Sequence, residues 1–120
     1  MLTGIDHVQL AAPAGCETAA REFYGEALGL EEIAKPDGLK GRGGVWFRCG
    51  DQQVHIGVEE GFSPARKAHP AFHVAGYDAL LASLRRADIE VSEDDAIPGL
   101  RRSYVHDPFG NRIELAATLT

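Results

Sequence analysis

The sequence predicts an α+β fold in which one domain of 120 residues is assembled from two β-α-β-β-β modules forming a cupped mixed sheet. Three observations lead there. The apolar spacing switches repeatedly between a period of about two and a period of about 3.6, as it does when strands and helices alternate. The order of those switches occurs twice, so module 1 spans about residues 1–60 and module 2 about 69–120 of a single domain, 1–120. The segments between are rich in Gly, Pro and Asp, the residues that punctuate regular structure.

Module 1 opens on residues 4–11, GIDHVQLA, whose alternation fits a strand. Pro13 and Gly15 break it. From Cys16 the period lengthens: Cys16, Ala19, Ala20, Phe23, Ala27 and Leu28 share a helical face, and Gly29 is a suitable stop. Leu30 to Ala34 can form a short strand, and Lys35 to Gly44, with Pro36, Gly38, Gly41 and Gly43 inside it, reads as a loop. Val45–Cys49 and Gln53–Val58 form a hairpin around Gly50-Asp51-Gln52. After a connector over 59–70, in which His69 beside Pro70 reads as a turn residue, the order repeats. Ala71–Ala75 is a strand, and Asp78 is placed to cap a helix that turns Leu80, Leu81, Leu84 and Ala87 inward. Ile89–Val91 is a short strand and 94–100 a loop. Arg102–His106 and Arg112–Ala117 make a second hairpin around Asp107-Pro108-Phe109-Gly110-Asn111. Laid over each other, the modules match His7 with His73 and His55 with Glu114. In such a repeat each half is expected to need the other to cover its apolar face.

The composition excludes several classes. A net charge of -6 argues against nucleic acid as a partner, since such a protein needs a basic face. No apolar run is long enough to cross a bilayer, and MLTGIDHVQL lacks the basic and apolar regions of a secretory leader. Cys16 and Cys49 have neither metal-type spacing nor partners for a disulfide framework, which points to a reducing, cytoplasmic setting.

Four polar residues interrupt otherwise aliphatic strands. Side chains alternate across a strand, so His7 opposes Val8, His55 opposes Val54 and Ile56, His73 opposes Phe72 and Val74, and Glu114 opposes Ile113 and Leu115. The aliphatic faces should pack on the helices. The other faces would then line a concave surface with His7, His55, His73 and Glu114 near its middle. Imidazole nitrogen and carboxylate oxygen suit borderline divalent ions, so Zn, Fe, Ni or Mn is the expected cofactor. His55 can serve there as ligand or as acid/base, because an imidazole changes charge near neutral pH. Tyr104 and His106 share strand parity opposite Val105 and are further candidates for the same surface, with Gln9, Trp46 and Arg48.

The segments IDHVQL, AAREFYGEALGLEE, AFHVAG and YVHDPFGNRIEL together resemble the vicinal oxygen chelate superfamily: glyoxalase I, fosfomycin-modifying thiol transferases, methylmalonyl-CoA epimerase, extradiol dioxygenases and bleomycin-resistance proteins. The resemblance covers almost the whole chain, and DPFGNRIEL is its most specific piece. It implies metal ligands at His7, His55, His73 and Glu114, with His55 standing where glyoxalase I has a glutamate. It implies catalytic parts for His55, Glu114 and Tyr104, the last at a position where thiol-transferase relatives place a substrate-contacting tyrosine. It also implies bidentate coordination of vicinal substrate oxygens by the metal, and a homodimer, in some relatives with modules exchanged between chains. The activity expected is a metal-dependent lyase or isomerase acting on a small molecule. The alternatives are an Fe(II) ring-cleaving dioxygenase and a metal-free drug-binding protein of the bleomycin-resistance kind.

Overall fold

The computed structural model of the protein describes residues 1–118. They form two compact units, residues 1–64 and 65 onwards. Each unit holds one four-stranded mixed sheet with its helix between the first and second strands, so the α+β class and the repeated β-α-β-β-β order are both found. No helix among the described residues is long and apolar enough to cross a membrane.

In the first unit β1 (His7–Ala12) pairs in parallel with β4 (Gln52–Val58), which pairs antiparallel with β3 (Val45–Cys49), and β2 (Glu31–Ile33) closes the far edge. The β3–β4 turn is tight: Cys49 faces Gln52, and Gly50 takes a positive φ of 59°. The helical stretch begins as α1 (Glu17–Ala20) and widens into a π-helix over Arg21–Ala27. Its last amide bonds have the longer spacing, Leu28 N–H to Phe23 O at 2.9 Å. Cys16, Ala20, Phe23 and Tyr24 are buried with Val45, Phe47, Val54 and Ile56, the aliphatic face expected of these strands. The 35–44 loop contains a 3-10 turn over Asp37–Arg42 and is tied at its exit. Glu17 Oε2 accepts the Gly44 N–H at 2.6 Å, and Lys35 Nζ donates to Gly43 O at 2.6 Å. The Gly44 N–H is the first cause of a Glu17 carboxyl held below its ordinary range.

In the second unit β5 (Ala71–His73) pairs in parallel with β8 (Arg112–Thr118), followed by β7 (Leu100–His106) and β6 (Ser92–Asp94). The short strand expected at 89–91 lies at 92–94 instead. Those three residues are polar and become a strand only by pairing with β7, Ser92 opposite Tyr104. Helix α2 (Tyr77–Arg86) starts from Gly76 in the left-handed region, not from a side-chain cap. Asp78, the expected cap, instead accepts a hydrogen bond from Arg101 Nη1 at 2.6 Å. Tyr77, Leu81 and Leu84 pack with Val105, Ile113 and Leu115, and the Tyr77 hydroxyl bonds to buried Ser103.

The β7–β8 turn is closed by its own side chains. Asp107 Oδ1 accepts the N–H groups of Phe109 and Asn111 at 2.9 and 2.8 Å, and Asp107 Oδ2 accepts Asn111 Nδ2 at 2.8 Å. Gly110 supplies the positive φ, 93°. These bonds hold the turn that leads into the strand carrying Glu114.

Candidate functional site

In module 2 Arg102, Tyr104, Arg112 and Glu114 lie on one face of the β7–β8 pair, opposite the buried Val105, Ile113 and Leu115, with Tyr104 directly across from Glu114 in the antiparallel register. Glu114 is buried, 9% exposed, which is unusual for a carboxylate without partners. Its partner is His69: Nε2 lies 2.9 Å from Glu114 Oε1. The other ring nitrogen, Nδ1, lies 2.8 Å from the Lys67 carbonyl oxygen. Around the pair, His69 meets the Tyr104 ring edge-on with centroids 5.5 Å apart, Arg112 lies over that ring at 4.1 Å, and Arg102 Nη1 stands 3.9 Å from Glu114 Oε2.

His69, read from the sequence as a turn residue, is thus the histidine brought to Glu114, and His73 is not. The register explains it. Ala71 is the β5 residue opposite Glu114, while His73 lies opposite Ala116 with an exposed ring, about 6.6 Å further along at 3.3 Å per residue. The ladder continues upstream of the assigned strand, since Glu114 N–H donates to Pro70 O at 3.0 Å. A residue before proline is held extended, so His69 stays on the strand path and on the same face as Ala71 and His73.

Module 1 repeats this arrangement with different chemistry. Gln9 lies opposite His55 on β4, and His7 sits two residues earlier, as His69 does relative to Ala71. His7 stacks on His55 with centroids 4.2 Å apart. The other face of His55 is covered by Trp46, 3.6 Å away and within 3° of parallel. His55 is buried, and its Nε2 is 2.8 Å from Gln53 Oε1. Burial first, and then the His7 ring, push its pKa below the ordinary value, so its neutral form is favoured. His7 Nδ1 meets Asp6 Oδ2 at 2.9 Å, which leaves Nε2 as the nitrogen able to accept a metal. By register, then, the partner of His7 in the repeat is His69.

The donor chemistry fits a divalent ion best at His69–Glu114. Nε2 of His69 and Oε1 of Glu114, both Lewis-basic, converge at 2.9 Å, and His69 Nδ1 is held at Lys67 O as an outer partner. His69 and Glu114 would hold such an ion, which would act there as a Lewis acid. Among the described residues no group of three or more His, Cys, Asp or Glu side chains is assembled as a metal cage. Each module by itself contributes a contacting pair, His7 with His55 and His69 with Glu114.

Comparison with known proteins gives the context for this geometry. Residues 4–115 match the family model described as Glyoxalase/Bleomycin resistance protein/Dioxygenase superfamily. A solved structure of a glyoxalase family protein from Bacillus anthracis is 56% identical, with a TM-score of 0.97 over 99% of this chain and 98% of that one. Lactoylglutathione lyase from Agrobacterium tumefaciens is 25% identical, with a TM-score of 0.74 over 97% and 94%. FosX, a fosfomycin resistance protein from Listeria monocytogenes solved with Mn(II) and 1S,2S-dihydroxypropylphosphonic acid, shares the fold at 20% identity, with a TM-score of 0.80 over 99% and 95%. No curated protein matches the sequence.

Proposed function

The chain belongs to the glyoxalase/bleomycin resistance protein/dioxygenase superfamily, the vicinal oxygen chelate proteins, and from that premise we propose that it is a metal-dependent enzyme with lyase or isomerase chemistry on a small molecule bearing vicinal oxygens. The observation that carries the proposal is the part-buried His69–Glu114 pair, two Lewis-basic atoms held 2.9 Å apart on one sheet face. His7 holds the matching place in module 1, and in module 2 His69 and Glu114 are the donors. Bound there, a divalent ion such as Mn, Fe, Ni or Zn would polarise a substrate oxygen as a Lewis acid.

The chain's own residues supply the rest. Glu114, once released from His69, is a carboxylate able to take a proton from substrate. Tyr104, opposite it in register, offers a phenol on the same face. His55, neutral and fixed between two rings, suits an acid/base part better than a ligand part, because Gln53 already occupies its Nε2. The assembly expected with this family is a homodimer, which light scattering in solution would measure. The function is tested by elemental analysis of protein purified without chelator or nickel resin, followed by metal titration. About one equivalent per chain, lost in Glu114→Gln, is the expected result. No uptake of Mn, Fe, Ni or Zn by the wild-type protein would refute it.

A further inference from the structure

The face that holds Glu114 has a charge balance unlike the rest of the molecule. The whole chain carries -6, yet here two guanidiniums and an imidazole, Arg102, Arg112 and His69, surround two carboxylates, Glu114 and Asp94. The guanidiniums are incompletely used. Arg102 Nε is buried with no hydrogen-bond partner among the described residues. Its Nη2 donates to Asp94 at 3.1 Å, but Nη1 stops 3.9 Å short of Glu114, beyond hydrogen-bond distance. Arg112 lies on the Tyr104 ring at 4.1 Å, and Arg102 is 5.6 Å from the same ring. Tyr104 therefore spaces two planar cations on either flank of the residue opposite Glu114. A divalent ion at His69–Glu114 would leave this half-buried face with a net positive charge that no residue on it neutralises.

We infer that the substrate is an anion, and that Arg102 and Arg112 grip its oxyanion group, a carboxylate or a phosphoryl-type group, beside Tyr104. A guanidinium presents paired N–H donors that match two oxygens of one oxyanion, and a partly desolvated site strengthens that contact. A neutral substrate would leave the positive charge of the loaded site uncompensated. The inference depends on the same face being the substrate site, but it makes no use of which metal binds.

The test is calorimetric titration of the purified full chain, metal-loaded and metal-free, at low ionic strength, with sulfate, inorganic phosphate and acetate, and glycerol as the neutral control. Sulfate coordinates metals weakly and reports on the arginines. The expected result is saturable binding of at least one anion and none of glycerol, weakened about tenfold or more in Arg102→Gln and in Arg112→Gln. Phosphate or sulfate above acetate would identify a phosphoryl-type group, and the reverse a carboxylate. Arg112→Gln removes a cation that rests only on a ring, so it keeps the test open if Arg102→Gln misfolds. Metal content is measured in the same variants and should be unchanged. Anion binding that survives both substitutions, or equal binding of glycerol, overturns the inference even where metal uptake is intact. Arginine-dependent anion binding without metal uptake would sustain it while the metal reading fails.

Discussion

Replacing His69 and His73 separately by alanine separates two assignments that differ by four residues. His69 is half-buried and makes two close contacts, 2.8 Å to Lys67 O and 2.9 Å to Glu114 Oε1. Removing it leaves the buried Glu114 carboxylate with only Arg102 at 3.9 Å, which costs about 1–3 kcal/mol as an under-satisfied buried polar group. His73 is exposed opposite Ala116, so its replacement should change stability by no more than about 0.5 kcal/mol. The separation in metal affinity should be larger. Loss of a mere outer-sphere partner costs about 10–100-fold, so loss of His69 should exceed about 100-fold, while His73→Ala binds as the wild type does. Competition titration against a chromophoric chelator gives both affinities, and urea denaturation gives both stabilities. If His73→Ala loses the metal and His69→Ala keeps it, the register argument is wrong.

Three other outcomes follow from the same contacts. Asp107→Ala removes one carboxylate that accepts three hydrogen bonds, leaving donors in a buried turn, and should lower the unfolding free energy by about 3 kcal/mol in urea denaturation. Gly44→Ala should be destabilising by about 3 kcal/mol or more, because its φ of 87° disfavours a side chain and its Cβ would overlap the Ile56 carbonyl oxygen; thermal melting reads this directly. Glu17 has its folded pKa lowered, so its contribution is complete above the ordinary value of 4.5 and is lost as pH falls through the lower folded value. Glu17→Gln should therefore be less stable than wild type near neutrality and lose less on acidification below pH 4.5, with melting temperature against pH as the measurement.

Element order was legible in the residues because it rests on period, and period survives without tertiary information. The Val45–Cys49 and Gln53–Val58 hairpin and the Asp107–Asn111 turn were readable from turn chemistry alone, and each is found with the glycine at positive φ that such turns need. The misplacement of β6 has the opposite cause: Ser92, Glu93 and Asp94 have no apolar signal, and their strand character comes wholly from pairing with β7. The exchange of His73 for His69 is more instructive. Alternation has a period of two, so His69, Ala71 and His73 all satisfy it equally, and an offset of four residues leaves every side chain on its expected face. Pro70 hid the continuation of the strand, since proline reads as a break although its carbonyl still accepts the Glu114 N–H. One signal could have resolved it. It is the ladder register: with His55 laid on Glu114, His7 and His69 each stand two residues before the residue opposite, Gln9 and Ala71, and His73 stands two after.

With that register restored, the modules are equivalent in position and opposite in chemistry. At the inner position of the last strand, module 1 carries an imidazole and module 2 a carboxylate. The first is covered on both ring faces, by His7 and Trp46, and held at Nε2 by Gln53; burial keeps it neutral. The second meets its histidine at 2.9 Å, Nε2 against Oε1. The two modules share the backbone relation in which a residue two positions upstream on the parallel neighbour contacts the inner residue, with ring packing at that contact in module 1 and a charged group in module 2. This division of labour accounts for the cationic surroundings as well. Arg102 and Arg112 have no cationic counterpart in module 1: with Trp46 laid on Tyr104 and His55 on Glu114, Gly44 and Gln53 take their places, and Arg48 is exposed beside Glu31. In module 2 a buried carboxylate, an imidazole and two guanidiniums share one sheet face, whereas in module 1 the imidazole stack holds His7 against His55, with Nδ1 on Asp6 and Nε2 unengaged by it.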